Sequence, residues 1–258
     1  MRDRHEVLID GGKCVGCGLC VKDCVSQNIR LSGGKAKVIH PDCLMCAHCV
    51  AICPENAVSI TGFPDPPKTV EGEHTLDSDA LLYALEARRS IRHFTAEGVT
   101  REALERVIQA GRYTPTASNA QCVSYLIVQQ QLGEVEKAAV RFLRKLQSLI
   151  VLVRPAYRGI VIDDRFLFKG APAAVVVLAP NDVDGALAAS GMALMAESQG
   201  LGVLYSGFFT LAANHSPAVR KALGLKKGER AATTLVVGHP AIHYSRTAPK
   251  ERPQVRAV

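Results

Sequence analysis

Residues 14–24 read CVGCGLCVKDC and residues 43–53 read CLMCAHCVAIC, two copies of the spacing C-x2-C-x2-C-x3-C that use eight of the nine cysteines. In such a run three thiolates wrap one face of a four-iron cluster and the fourth crosses to a second cluster. That rule assigns Cys14, Cys17, Cys20 and Cys53 to one 4Fe-4S cluster, and Cys43, Cys46, Cys49 and Cys24 to the other. A disulfide framework belongs to oxidising compartments, yet the first ten residues, MRDRHEVLID, are charged and hold no apolar signal stretch. Structural zinc takes its four ligands from two separated pairs, a pattern unlike three cysteines at x2 spacing with a fourth lent by a partner run. Gly16, Gly18 and Ala47 lie between the ligands, where small residues let backbone amides approach the cluster sulfurs and tune their potential.

The two runs form an internal repeat, each followed by a short apolar segment, Ile29 to Leu31 and Val58 to Ile60. This resembles the pseudo-twofold 2(4Fe-4S) ferredoxin fold over about residues 1–62. Pro54 follows Cys53 as is usual in that family, whereas Val25 follows Cys24, a departure that touches the turn and leaves the ligand in place.

With 258 residues the chain is long enough for a second domain with its own core. The stretch GFPDPPKTVEG, Gly62 to Gly72, reads as a linker, so the expected organisation is a cluster domain at 1–62, a linker at 63–75 and a second domain at 76–258. Helical and strand-like segments alternate beyond it, implying an α+β or α/β domain. The formal net charge is +7. Two loaded clusters contribute about −4, which takes residues 1–62 from +1 to about −3 and leaves +6 on the remainder, so the halves should attract each other. Aromatic residues are sparse and no nucleic-acid motif occurs, so a nucleic-acid role is not expected. No apolar run approaches the roughly eighteen residues of a membrane span; Leu149 to Val153 reads as a buried strand or helix edge. A cytoplasmic protein with no membrane partner is the expectation.

In the second domain a helix is expected from about Asp77 to Arg89, capped by Asp77 or Ser78. It runs into RRSIRHF, Arg88 to Phe94, where three arginines and a serine suit a phosphate. The plainer reading is that basic residues complement the negative end of the helix. A second helix, Thr100 to about Arg112, precedes TPTASNAQ (Thr114 to Gln121) and the strand VSYLIV (Val123 to Val128). Then come the strand in GAPAAVVVLA after Gly170, a long helix from about Asp184 ending in QGLGVLYSGFF, the strand TTLVVGHP, and a tail with PKER.

Taken in this order the segments resemble the nitroreductase family of FMN flavoproteins over roughly residues 76–258, and the whole chain resembles members that carry an N-terminal ferredoxin domain. The fold implied is α+β. The resemblance implies that Arg88, Arg89, Ser90 and Arg92 meet the FMN phosphate and ribityl chain, and that Asn119, flanked by Ser118 and Gln121, hydrogen-bonds the flavin. It further places the amides of Ser206 and Gly207 at the N5 edge and returns Lys250 and Arg252 to the phosphate. The chemistry suits FMN independently: a doubly charged phosphate needs cations, the ribityl chain needs hydroxyl and amide partners, and the flat ring needs close backbone approach at glycines such as Gly200, Gly202 and Gly207. Cys122 and Val123 replace the family's usual Pro-Trp after Gln121. Cys122 reads as a buried structural thiol, with a redox or substrate-contacting thiol the alternative, and the basic segment Arg141 to Lys169 as a solvated helix face, with recognition of an acidic substrate or partner the alternative. His93, His215, His239 and His243 show no ligand spacing. No catalytic side chain is demanded, since the flavin carries the chemistry. The function implied is transfer of electrons from an external donor, a ferredoxin-like protein or NAD(P)H, through the clusters to FMN and on to a small organic acceptor: a nitroaromatic, quinone or activated alkene. Alternatives are an NAD(P)H-driven reductase using the clusters as an outlet, and a carrier or redox sensor without turnover. A homodimer is expected, with the apolar stretch Leu187 to Ala196 supplying its interface.

Overall fold

The computed structural model describes residues 5–40, 43–72 and 75–257. The chain divides into two compact units, Met1–Thr75 with Ala117–Ala120, and Leu76–Thr116 with Gln121–Val258.

The first unit is built twice. Strand β1 (Val7–Ile9) pairs antiparallel with β4 (Val58–Ile60), and β2 (Ile29–Ser32) with β3 (Lys35–Val38). The β2–β3 hairpin turns on Gly33 and Gly34, both left-handed (φ 59° and 72°), the pair of conformations a two-residue turn needs to match strand twist. Helix α1 (Leu19–Asp23) carries Cys20 and α2 (His48–Ala51) carries Cys49. Each starts at a left-handed residue, Gly18 (φ 76°) and Ala47 (φ 60°) respectively. Ile29, Ala36, Ala57 and Val58 pack with buried Cys14, Cys20 and Cys49 into a small core.

The second unit is a four-stranded antiparallel sheet in the order β5 (Ser124–Val128), β6 (Ala173–Leu178), β8 (Ala231–Gly238), β7 (Gly202–Tyr205). Its central strand β6 reads AAVVVL without polar alternation because both faces are covered, and all six residues are buried. Ala174, Val176 and Leu178 face the layer of α5 (Leu132–Val153), α7 (Gly207–His215) and α8 (Pro217–Ala222). Ala173, Val175 and Val177 face α4 (Arg101–Arg112) and α6 (Asp182–Ser198). Helices α4 and α6 approach closely at glycines: a Cβ on Gly111 would stand 2.9 Å from Met192 Sδ. Side-chain caps start three helices as their sequences require, Asp77 to Ala80 N for α3 (Ser78–Ala87), Thr100 to Ala103 N for α4, and Asn181 to Asp184 N for α6.

Three expectations are corrected. Leu149 to Val153 is the last turn of α5, not a buried edge, and Leu152 and Val153 are 80 % and 83 % exposed. Most of the apolar side chains of Leu187 to Ala196 are spent inside its own core, since Ala188, Ala189, Met192, Ala193 and Ala196 pack on the sheet, and Leu187 is the exposed large apolar residue of the segment. Cys122 is exposed, its Sγ 3.8 Å from Asp184 Oδ2. In each case an apolar or thiol side chain carried no local signal of which long-range surface would cover it. Among the described residues no helix is long and apolar enough to cross a membrane.

Candidate functional site

Two voids in the first unit are ringed by thiols. Cys14, Cys17, Cys20 and Cys53 line one, and Cys24, Cys43, Cys46 and Cys49 line the other. Each void thus draws three thiols from one run and one from the other. No disulfide joins any of the nine cysteines. Among the described residues no group of three or more His, Cys, Asp or Glu converges tightly enough for a single metal ion.

Backbone amides point at the sulfurs in a repeated pattern. Asn28 N donates to Cys24 Sγ at 3.3 Å and Ala57 N to Cys53 Sγ at 3.2 Å, each four residues past its cysteine. Ala36 N donates to Cys14 Sγ at 3.4 Å and Met45 N to Cys43 Sγ at 3.3 Å. Amide bonds from Ala36 and Gly16 hold the Cys14 thiol below its ordinary range. Burial, reinforced by Cys43 and Cys46, pushes Cys49 up to about 11. Burial and neighbouring Cys17 likewise raise Cys20. Thiols crowded this way become thiolates only around a cationic centre, which is what a four-iron core supplies. The sequence pointed to Gly16, Gly18 and Ala47 as the amide positions. They set the left-handed turns, while most of the observed donors lie outside the C-x2-C segments, at Asn28, Ala36 and Ala57. The repeated four-residue offset from Cys24 and Cys53 was the available signal for two of them. A Cβ at Gly16 would overlap the Gly34 carbonyl, so glycine is needed there.

In the second unit two of the segments assigned to a flavin, Arg88–Arg92 and Ser206–Gly207, meet at β7. Ser90 bridges Val203 in parallel register, and Ile91 N donates to Val203 O at 3.0 Å. The chain from Arg88 to Arg92 therefore lies along the strand that leads directly into Ser206 and Gly207. Gly202 permits this: a Cβ there would stand 2.5 Å from Ile91 Cγ1 and 2.9 Å from Ile91 Cβ. Burial raises both Glu197 and Tyr205, and Arg88 lies close enough to each to oppose part of that rise. Arg89 is engaged otherwise, its guanidinium donating to the Ala87 and Glu86 carbonyls at the end of α3, the plainer of the two readings of this basic segment. Arg92 is exposed.

Ser206 N donates to Thr234 O at 2.9 Å, which leaves Gly207 as the amide of that pair at the open start of α7. Nothing lies within 4 Å of the position a Gly207 Cβ would take. Ser118, Asn119 and Gln121 all hold left-handed backbone (φ 51°, 49° and 43°), a strained run for residues with side chains. Gln121 N is held by Thr116 Oγ1 at 2.8 Å. Asn119 belongs to the first unit and donates to the carbonyls of Leu44 and Met45, at 3.0 Å and 2.9 Å, in the second cysteine run. Lys250 and Arg252 lie in exposed coil, and among the described residues no hydrogen bond or ion pair joins them to Arg88–Arg92. Beside α7, Leu143, Leu146, Ile150, Ile162, Phe166 and Phe208 line an apolar cavity of about 90 Å³. Arg144 and Gln147 on α5 strap its outer wall by bonds to the Ile162 and Ile160 carbonyls at 2.9 Å and 2.7 Å.

Two family models match separate parts of the chain. Residues 85–239 match the nitroreductase family model and residues 6–54 the 4Fe-4S dicluster domain model. The ferredoxin of Pyrobaculum islandicum is 41% identical over 56 residues, 21% of this chain and 52% of that protein. This chain spans about half or less of the length of the curated relatives it matches. Among solved structures, an FMN-bound nitroreductase from Bacteroides fragilis superposes with a TM-score of 0.55 at 18% identity, covering 69% of this chain and 98% of that one. An FMN-bound nitroreductase from Desulfitobacterium hafniense gives a TM-score of 0.54 at 24% identity, covering 68% and 97%. These likenesses establish the fold.

Proposed function

This chain belongs to the nitroreductase family, and on that premise we propose that it is an FMN-dependent oxidoreductase that takes up single electrons through two 4Fe-4S clusters and delivers them in pairs to a small organic acceptor. The observation that carries the reading is the pair of four-thiol cages, each completed by a cysteine of the other run, in the same chain as the nitroreductase-family domain. Clusters pass one electron at a time whereas bound FMN stores two and releases them as a hydride, so the fusion matches a one-electron supply to two-electron chemistry.

The residues of the chain then bind, orient and exclude water. Arg88 supplies a cation and Ser90 a hydroxyl for the phosphate end. Gly202 lets that segment approach β7, and the start of α7 presents the Gly207 amide to the ring edge. The apolar cavity between α5 and α7 favours an acceptor with a ring or an unsaturated hydrocarbon portion, a nitroaromatic, quinone or activated alkene. The electron donor is a ferredoxin-like protein or NAD(P)H. Eight thiols held for cluster assembly fit a reducing compartment, the cytoplasm. The working unit is a homodimer: no residue of α3 is buried, and Leu82 and Tyr83 are 55 % and 68 % exposed, an apolar helix that a second copy would cover. Sedimentation of the flavin-loaded protein as a single chain at micromolar concentration would refute the dimer.

Steady-state assays with reduced ferredoxin, NADH and NADPH, each against nitrobenzene, menadione and an enone, test the proposal. Reduction with ferredoxin that is lost in cluster-free protein is the expected result. Turnover with NADPH that survives cluster loss would make the clusters an outlet, and no turnover in any combination would leave a carrier or sensor.

A further inference from the structure

Helix α7 begins at Ser206, a residue well suited to capping a helix, yet the Ser206 side chain does not cap it. A serine in this position ordinarily accepts a bond from a first-turn amide, as Ser216 does for α8, where Val219 N donates to its Oγ at 3.4 Å. The Ser206 hydroxyl instead turns away and donates to Leu167 O at 3.0 Å. That carbonyl shares its peptide group with the Phe168 amide, which donates to Glu136 Oε1 at 2.7 Å. The same carboxyl oxygen accepts the Leu167 amide at 3.0 Å. Glu136 projects from α5 and is 7 % exposed, so water does not replace it as the acceptor for these two amides.

We propose that Glu136 is a positioning residue for the flavin edge: its buried oxygen fixes the Leu167–Phe168 peptide, and that peptide holds the Ser206 hydroxyl off the first turn of α7. The inference rests on the assignment of FMN to Gly207 made above. Ser206 is otherwise held by its backbone, its amide on Thr234 O and its carbonyl accepting from Thr210 Oγ1 at 3.1 Å. Rotation of its side chain is the freedom that remains. Turned inward, the hydroxyl would accept the Phe208 or Phe209 amide and stand across the start of the helix beside the Gly207 amide, in the path of the flavin edge. With the Glu136 oxygen in place the Leu167 carbonyl is both aimed and polarised by the bond on the far side of its peptide, since hydrogen bonds in series strengthen one another. Glu136 touches neither the ring nor an acceptor; it acts through one peptide and one hydroxyl.

A double-mutant cycle on the full chain, read as the dissociation constant of FMN by flavin fluorescence, tests this. Glu136→Leu should weaken FMN about tenfold, the effect of one competing hydrogen bond. In a Ser206→Ala background, where no hydroxyl can turn inward, the same change should have less than about a threefold effect. Glu136→Gln keeps an oxygen acceptor and should hold FMN within about threefold of wild type. Where Glu136→Leu does not fold, Glu136→Asp runs the same cycle, because it keeps the carboxyl group and withdraws the oxygen by one methylene. Equal losses in the wild-type and Ser206→Ala backgrounds would overturn the inference and return Glu136 to a purely structural role. Wild-type protein that binds no FMN would overturn the cofactor assignment as well, which separates the two failures.

Discussion

Replacing Gly202 with alanine should damage stability and flavin retention together. The new Cβ would stand 2.5 Å from Ile91 Cγ1 and 2.9 Å from Ile91 Cβ, where carbon atoms settle at about 3.5 to 4.0 Å. Rotation about χ1 relieves the first contact and cannot relieve the second, because the Ile91 Cβ is fixed to its own backbone. Ile91 is buried and its amide donates to Val203 O at 3.0 Å. The 90–92 segment must therefore retreat by about 1 Å from β7, beyond the range of that hydrogen bond. Overpacking costs about 1 to 3 kcal/mol, and the lost bond adds about 1 kcal/mol. The sum, about 2 to 4 kcal/mol, corresponds to a fall in Tm of roughly 10 °C for a domain of this size. Arg88 and Ser90 move with Ile91, so FMN affinity should fall in parallel. Thermal unfolding followed by circular dichroism, with FMN release recorded in the same samples, measures both. Ile91→Ala removes the nearer of the two clashing atoms, so the double variant should be more stable than the sum of the single changes predicts. A Tm within a degree of wild type, or strict additivity in that cycle, would show that the close approach of residues 90–92 to β7 is misjudged.

Cys20→Ala and Cys53→Ala should remove the same cluster, leaving four of eight iron atoms under the crossed ligation rule; iron analysis with electron paramagnetic resonance of each variant checks it, and loss of different clusters would refute the cage assignment. Arg88→Ala should weaken FMN by roughly ten- to a hundredfold, as expected for a charge-assisted contact. Arg89→Ala should instead lower stability with little change in FMN titration, because its guanidinium caps α3; equal effects of the two would place both at the phosphate. Ala47→Gly should raise the denaturant midpoint of the cluster-loaded protein, by about 1 kcal/mol for relief of the left-handed backbone at φ 60°, and an unchanged or lower midpoint would show that alanine is not strained there.

The parts of the fold that were legible in the sequence are those written locally. Asp77 and Thr100 cap their helices with bonds three residues ahead, and the apolar run Ala173 to Leu178, bounded by Gly170 and Pro172 and rich in valine, is the strand its composition suggests, covered on both faces. Arg88 and Arg89 stand side by side in the sequence and do different things, since only the direction in which the chain leaves α3 decides which guanidinium folds back on the helix carbonyls. Cys122 and the last turn of α5 defeated expectation for a related reason: burial depends on what arrives from elsewhere in the chain.

Cysteine spacing alone determined that this protein handles iron-sulfur clusters, because thiolate number and reach are properties of a short segment. The nitroreductase-like domain was legible there only as a resemblance carried by the order of its segments, which the family match and the fold bear out. Only the tertiary structure decided which atoms do the fine positioning. That Ile91 requires glycine at 202, that Asn28 and Ala57 amides aim at sulfur, and that Glu136 reaches Ser206 through a single peptide all depend on segments far apart in sequence meeting within hydrogen-bonding or van der Waals distance. Such meetings are set by the packing of whole layers, and local sequence carries no record of them.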